Sequence, residues 1–347
     1  MRTRLLANGT PSRVLPLVLA LVALCAAGLA GAPLPAAEAA EPIVIRLSVD
    51  NPDGLPRSDM EKRFATLVTE KTKGRAVVKI FWSGALGGVQ RAAIEVVQNR
   101  GAEMAIISSS NFAAVQPAWM ILDLPFLTKG REGYYKLLDG PVFAELKQGT
   151  EKQAKLKYIF AVYDGYRILL TTKKQVKSPA DLKGMKLRTT NSPIEVAYVR
   201  AFGANPSPID WGETYLALKQ GLADGYFLGY TTVLNFKHDD AVKYGLNIPV
   251  VPIYVPAFMN VDFFNGLPAD IQKAVLEAGR ETDLANRKQD EADLVTAKQK
   301  LSRQGLVDYT PTPPEMQGWV KLAQPVYEEF KGKLPAGVIQ RALDSQQ

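Results

Sequence analysis

The stretch IVIRLSVDNPDG, residues 43–54, governs how the rest of the chain reads. Ile43, Ile45, Leu47 and Val49 alternate with Val44, Arg46 and Ser48, the two-residue period of a β-strand, and Asn51-Pro52-Asp53-Gly54 then breaks it. Beyond the break, Met60, Phe64, Leu67 and Val68 share one helical face, and Gly74 stands where a helix C-terminal glycine belongs. Residues 77–82 read as a second strand and Gly84, Gly87 and Gly88 as a loop. Residues 91–99 read as a helix and 104–107 as a third strand, which runs into Ser108-Ser109-Ser110. This β-α-β-α-β order predicts a parallel sheet covered by helices.

The same grammar restarts downstream. Residues 158–163 and 168–172 read as two apolar strands. Ser178-Pro179-Ala180-Asp181 opens a short helix, and residues 186–188 form a short strand. Ser192-Pro193-Ile194-Glu195 combines a first-turn proline with a capping box, so a helix runs from there to about Phe202. Residues 213–220 are helical, Gly221 ends them, and 223–228 return as a strand. Residues 250–261 rejoin the first sheet. Residues 268–303 form one helix of about 50 Å at 1.5 Å per residue, with Gly279 as a bend. A helix that long exceeds one small domain and serves as a brace across two. Residues 314–343 are helical again, with Trp319, Leu322 and Val326 on one face.

The fold expected is therefore α/β, a two-lobed hinged clamp with a long helix bracing both lobes. Residues 41–164 plus about 250–290 make lobe I, and 165–249 plus about 291–347 make lobe II. Ligands in open α/β sheets sit beyond the carboxyl ends of the strands, commonly in a cleft between lobes. The loops at residues 50–51, 84–90, 108–111, 164–167, 188–191, 208–213 and 226–230 are the places for a site.

Charge and cysteine usage narrow the function. Lys and Arg number 42 against 35 Asp and Glu, interspersed without a basic stripe, which argues against nucleic acid and is compatible with an anionic partner. Arg2, Arg4 and Arg13 precede an apolar run over residues 14–32, and Ala37-Glu38-Ala39 makes a cleavage site. Residues 1–40 thus read as an export signal, cleaved near Ala39 or Ala40, and the mature chain as periplasmic. The single cysteine, Cys25, lies inside that signal, so disulfides, thiolate zinc sites and cysteine nucleophiles are excluded from the mature chain. The single histidine, His238 in Lys237-His238-Asp239-Asp240, reads as a solvated helix-end residue, and Asp239-Asp240 as a charged turn in preference to a metal pair. No P-loop or dinucleotide fingerprint is present, and no cofactor is expected.

An ordered series of motifs carries a resemblance. Phe81-Trp82-Ser83-Gly84-Ala85-Leu86-Gly87-Gly88 is followed by Asp123-Leu124-Pro125-Phe126-Leu127 and Leu138-Asp139-Gly140-Pro141-Val142. Then come Asp181-Leu182-Lys183-Gly184-Met185-Lys186-Leu187-Arg188 and Phe202-Gly203-Ala204-Asn205-Pro206, with Gly212-Glu213-Thr214-Tyr215 following. Ala217-Leu218-Lys219-Gln220-Gly221-Leu222-Ala223-Asp224-Gly225 completes the set. From Ile43 to the C-terminus the chain resembles the TRAP-transporter periplasmic solute-binding proteins of the DctP type.

The resemblance implies capture of a carboxylate-bearing solute and its delivery to integral membrane permease subunits driven by an ion gradient. It aligns the family's carboxylate-binding arginine with Arg188 and a second arginine with Arg167. It also sets Trp211 where an aromatic ring meets the ligand. Gln90, Asn51, Ser108 and Ser109 are loop polars in suitable positions, with Tyr226 and Tyr254 as further candidates. One segment departs from the family: Tyr226-Phe227-Leu228-Gly229 replaces a common QENP, and Leu228 offers no amide to an arginine–carboxylate contact. Either the carboxylate is held differently, or the ligand is more apolar or aromatic. Service to a signalling receptor, or an enzyme acting on an organic acid, are the alternative readings.

Overall fold

The computed structural model describes residues 41–346; the expected export signal, with Cys25 and the cleavage site, lies outside the described residues. β1 (Ile43–Ser48), α1 (Pro56–Lys71), β2 (Ala76–Phe81), α2 (Arg91–Gln98) and β3 (Met104–Ile106) follow the expected order, and β1 pairs in parallel with β2 and with β3. A short α3 (Ser109–Phe112), a 3-10 turn over Pro117–Asp123, α4 (Gly130–Asp139) and α5 (Pro141–Ala154) lead into β4 (Leu156–Thr171). The expected pair of strands at 158–163 and 168–172 is thus one 16-residue strand. The interruption at Asp164-Gly165 is absorbed as a register shift between Tyr163 and Tyr166, with Gly165 at φ +78°. A bulge of this kind accommodates the turn-like dipeptide without ending the ladder.

The chain continues through β5 (Lys186–Thr189), α6 (Pro193–Ala201), β6 (Asn205–Pro208), α7 (Trp211–Gln220), β7 (Gly225–Leu228) and α8 (Tyr230–Asn235). Then follow β8 (Tyr244–Asn260), α9 (Val261–Gly266), α10 (Ala269–Arg303), β9 (Val307–Tyr309), α11 (Pro313–Lys331) and α12 (Val338–Asp344). The strands form one sheet in the order β2-β1-β3-β8-β4-β7-β5-β6, with β9 beside β8. It is mixed rather than parallel throughout: β4 and β8 run antiparallel to each other and to their neighbours β7 and β3, while the flanks are parallel. The two long central strands stitch a β2-β1-β3 half to a β7-β5-β6 half. Residues alternate across the sheet, so Phe160, Val162, Ile168 and Leu170 feed one hydrophobic core and Ala161, Tyr163 and Leu169 the other.

Helix α10, 35 residues and about 50 Å long, packs against α1, β4 and α8 and so spans both halves. Gly279 serves close packing: a Cβ there would stand 2.3 Å from the carbonyl oxygen of Ile159 on β4. The C-terminal stretch is two helices. α11 buries Trp319 and Val326 and packs against α6, whereas α12 returns to α5. Among the described residues no helix is long and apolar enough to cross a membrane.

Candidate functional site

A cavity of about 50 Å³ opens where the parallel strands end and where β4 and β8 cross the middle of the sheet. Arg188 and Thr190 reach it from the end of β5, Leu228 from the end of β7, and Asp50 from beyond β1. Ser108 and Asn111 follow β3, Asp164 and Arg167 leave the β4 bulge, and Ile253 and Val255 belong to β8. Arg57 and Trp211 stand in the first turns of α1 and α7.

Three arginines line this space, each buried, and their partners differ. Arg188 is 3% exposed. Its Nε donates to the carbonyl oxygen of Ile209 at 2.9 Å, and its guanidinium lies 5.6 Å from the Trp211 ring centre. It forms no ion pair among the described residues, and Nη1 and Nη2 make no hydrogen bond with them. Burial, joined by the neighbouring Arg167, lowers its pKa to about 10 against the pull of Glu195, so it stays charged near neutrality.

Arg167 is committed. Its Nη1 donates to Glu195 Oε1 at 2.9 Å and its Nη2 to Ser110 Oγ at 2.9 Å. Ser110 donates on to Asp123 at 2.6 Å, whose other oxygen takes the Ser192 hydroxyl at 2.7 Å. Burial raises the Asp123 carboxyl to about 6, although Arg167 and both hydroxyls oppose it. The capping box expected at Ser192-Pro193-Ile194-Glu195 is half made: Ser192 Oγ accepts from the Glu195 N–H, but the Glu195 carboxylate turns instead to Thr190 and Arg167. Helix capping and site construction draw on the same four residues.

Arg57 faces three carboxyl groups. Its Nη2 donates to Asp50 Oδ1 at 2.9 Å, Nε lies 3.5 Å from Glu61, and Nη1 lies 4.0 Å from Asp164. Burial opposes the charge on Arg57, but Asp50, Asp164 and Glu61 outweigh it and raise its pKa. Glu61 accepts from Asn51 Nδ2 at 3.0 Å, yet burial lifts its carboxyl to about 8. Gln90 ties this cluster to the loop after β3: Nε2 donates to Asp50 at 2.6 Å, and Oε1 accepts from the Ser108 N–H and the Asn111 amide, each at 3.0 Å. Its backbone sits at φ +54°, a left-handed conformation that a non-glycine residue holds only when its surroundings fix it.

The remaining wall is apolar. Trp211 meets Phe236 edge-on at 4.7 Å and stacks on His238 at 5.2 Å. His238 is 4% exposed, which corrects the expectation of a solvated residue. The aromatic rings of α7 and β7 enclose it, with Tyr226 OH 3.3 Å from Nδ1, and burial depresses its pKa to about 4. Asp239 and Asp240 take separate partners, Gln304 and the Lys219–Tyr215 pair.

Of the residues proposed from sequence, Arg188, Arg167, Trp211, Gln90 and Ser108 line the cavity. Asn51 lies behind it against Glu61, and Ser109 is buried in α3. Tyr226 points to His238, and Tyr254 hydrogen-bonds Tyr158 in a different groove. Sequence reading missed Arg57, Thr232, Phe236, Ile253 and Val255. Arg57 did carry a signal, an i,i+4 spacing to Glu61, but that spacing ordinarily marks an exposed helix pair.

The model of the DctP family, described as bacterial extracellular solute-binding protein family 7, matches residues 49–333. The chain is 34% identical over 229 residues to the 2,3-diketo-L-gulonate-binding periplasmic protein of Escherichia coli, covering 65% of this chain and 69% of the relative. It is 28% identical over 304 residues to the C4-dicarboxylate-binding periplasmic protein DctP of Vibrio cholerae, covering 86% and 87%. Its fold superposes on a TRAP periplasmic solute-binding protein from Roseobacter denitrificans with bound β-D-glucuronate, with a TM-score of 0.81 and 25% identity over 88% of this chain and 99% of that one. The two-lobed α/β clamp with its bracing helix is thus shared, and the chain belongs to the DctP family of bacterial extracellular solute-binding proteins.

Proposed function

We propose that the protein captures a small organic acid in this cavity, outside the cytoplasm, with the acid's carboxylate on Nη1 and Nη2 of Arg188, and hands it to a TRAP-type membrane permease. One observation carries the reading: of the three buried arginines lining the cavity, Arg188 has no carboxylate partner among the described residues, whereas Arg57 and Arg167 do. A buried cation without an anion is costly, and a planar guanidinium with two free parallel donors fits a carboxylate. The family and the acids named for its relatives support the same ligand class. Lobe I, residues 41–164 with about 250–290, and lobe II, residues 165–249 with about 291–347, would close on the acid by flexing β4 and β8.

The test is calorimetric titration of the purified protein with the organic acids that raise its melting temperature in a screen. Arg188→Ala should weaken binding by about 2–5 kcal/mol while leaving the ligand-free protein folded. Unchanged affinity in that variant rejects the role assigned to Arg188.

A further inference from the structure

The wall contributed by β1, α1 and the β4 bulge carries more acceptors than its one arginine satisfies. Asp50 is fully engaged with Arg57 and Gln90. Asp164 is not: it is 6% exposed, it lines the cavity, and its carboxylate accepts no hydrogen bond among the described residues. Arg57 Nη1, 4.0 Å from Asp164 Oδ2, likewise makes no hydrogen bond with them. That separation lets the charges attract but leaves both groups with unused hydrogen-bonding capacity.

Resting on the assignment of the carboxylate to Arg188, we propose that Asp164, with Arg57, determines specificity for the rest of the ligand: the protein takes hydroxylated monocarboxylates and rejects dicarboxylates. A hydroxyl both donates and accepts, so it can serve Asp164 and Arg57 together. A second carboxylate would supply only acceptors and place like charge against Asp164 and Asp50. A methyl group would leave the buried carboxylate without a donor. Leu228, Ile253 and Val255 in the same lining would meet the ligand's carbon skeleton.

Matched acids that differ only at the far end test this. Gluconate and glucarate form one set, and 4-hydroxybutanoate, butanoate and succinate another, each titrated into wild type, Asp164→Asn and Arg188→Ala. Wild type should prefer the hydroxy acid over the dicarboxylate by about 100-fold or more, the scale of a buried like-charge contact. In Asp164→Asn that ratio should shrink to about 10-fold or less, because the repulsion is gone while an amide remains. A wild-type protein that binds the dicarboxylate as tightly as its hydroxy partner overturns the proposal without recourse to any variant. An unchanged ratio in a folded Asp164→Asn does the same. Loss of all binding in Arg188→Ala alongside an unchanged Asp164→Asn ratio rejects the role of Asp164 alone. Retained binding in Arg188→Ala rejects the carboxylate anchor instead, and silence of wild type toward every acid in both sets rejects both.

Discussion

Arg57, Arg167 and Arg188 line one cavity, yet their neighbours give them different work. Arg167 holds the Glu195–Thr190 and Ser110–Asp123–Ser192 contacts in place, and Arg57 gathers Asp50, Glu61 and Asp164. Only Arg188 of the three keeps both terminal nitrogens without a partner among the described residues. Arg188→Lys keeps the charge but loses the paired donors, so titration should show weakened binding; wild-type affinity would mean that the charge alone suffices. The buried carboxyls also predict a pH dependence. Burial raises Glu61 to about 8, Asp123 to about 6, and Asp283 and Asp290 each to about 7. A carboxyl that titrates higher in the folded chain than in the unfolded one favours folding while protonated. Its contribution is complete below the unfolded value near 4.5 for Glu61 and is lost as pH rises through about 8. His238, depressed to about 4, acts in the opposite sense, losing its contribution as pH falls from about 6.5 through 4. The ligand-free protein should therefore become less stable to urea between about pH 7 and 8, above the unfolded value of His238, where only the raised carboxyls still titrate. Glu61→Gln should flatten that decline, and an identical slope in the variant would show that Glu61 is already ionised across the range.

At the scale of elements, the local signals for β1, α1, β2, α2 and β3 were sufficient because each element is punctuated by its own turn residues. β4 was harder to read. Asp164-Gly165 has the composition of a turn, but β8 pairs on both sides of it and turns the break into a bulge that aims Asp164 and Arg167 into the cavity. Two glycines separate steric from conformational demands. Gly279→Ala pushes a methyl against the Ile159 carbonyl oxygen and should cost about 1–3 kcal/mol in urea unfolding by forcing α10 off β4. Gly165→Ala meets no atom within 4 Å but must hold φ +78°, at about 1–2 kcal/mol. Because that cost falls at the bulge, Gly165→Ala should also weaken acid binding, whereas Gly279→Ala should leave affinity near wild type.

At the scale of the molecule, β4 and β8 join the two halves of the sheet, and α10 lies across both. A ligand can shift an open–closed equilibrium only by binding one state better than the other. Bound acid should stabilise the fold by about 2.7 kcal/mol at 100 times its dissociation constant. It should also reduce the radius of gyration in small-angle scattering; an unchanged radius with a raised melting temperature would mean capture without closure. The sequence alone determined the run from β1 to β3 and pointed to the family and to positions 167 and 188, because periodicity, turn residues and ordered motifs are local properties. Tertiary structure alone decided that Arg57 and Glu61 are buried, that Asp50 and Asp164 converge on Arg57, that His238 is sealed behind Trp211, and which cavity arginine has no carboxylate partner among the described residues. An Arg–Glu pair four residues apart has the same spacing in water as in a core. Asp50 and Asp164 meet only because the β4 bulge and the end of β1 face one cavity, and no local pattern encodes a contact between segments so far apart along the chain.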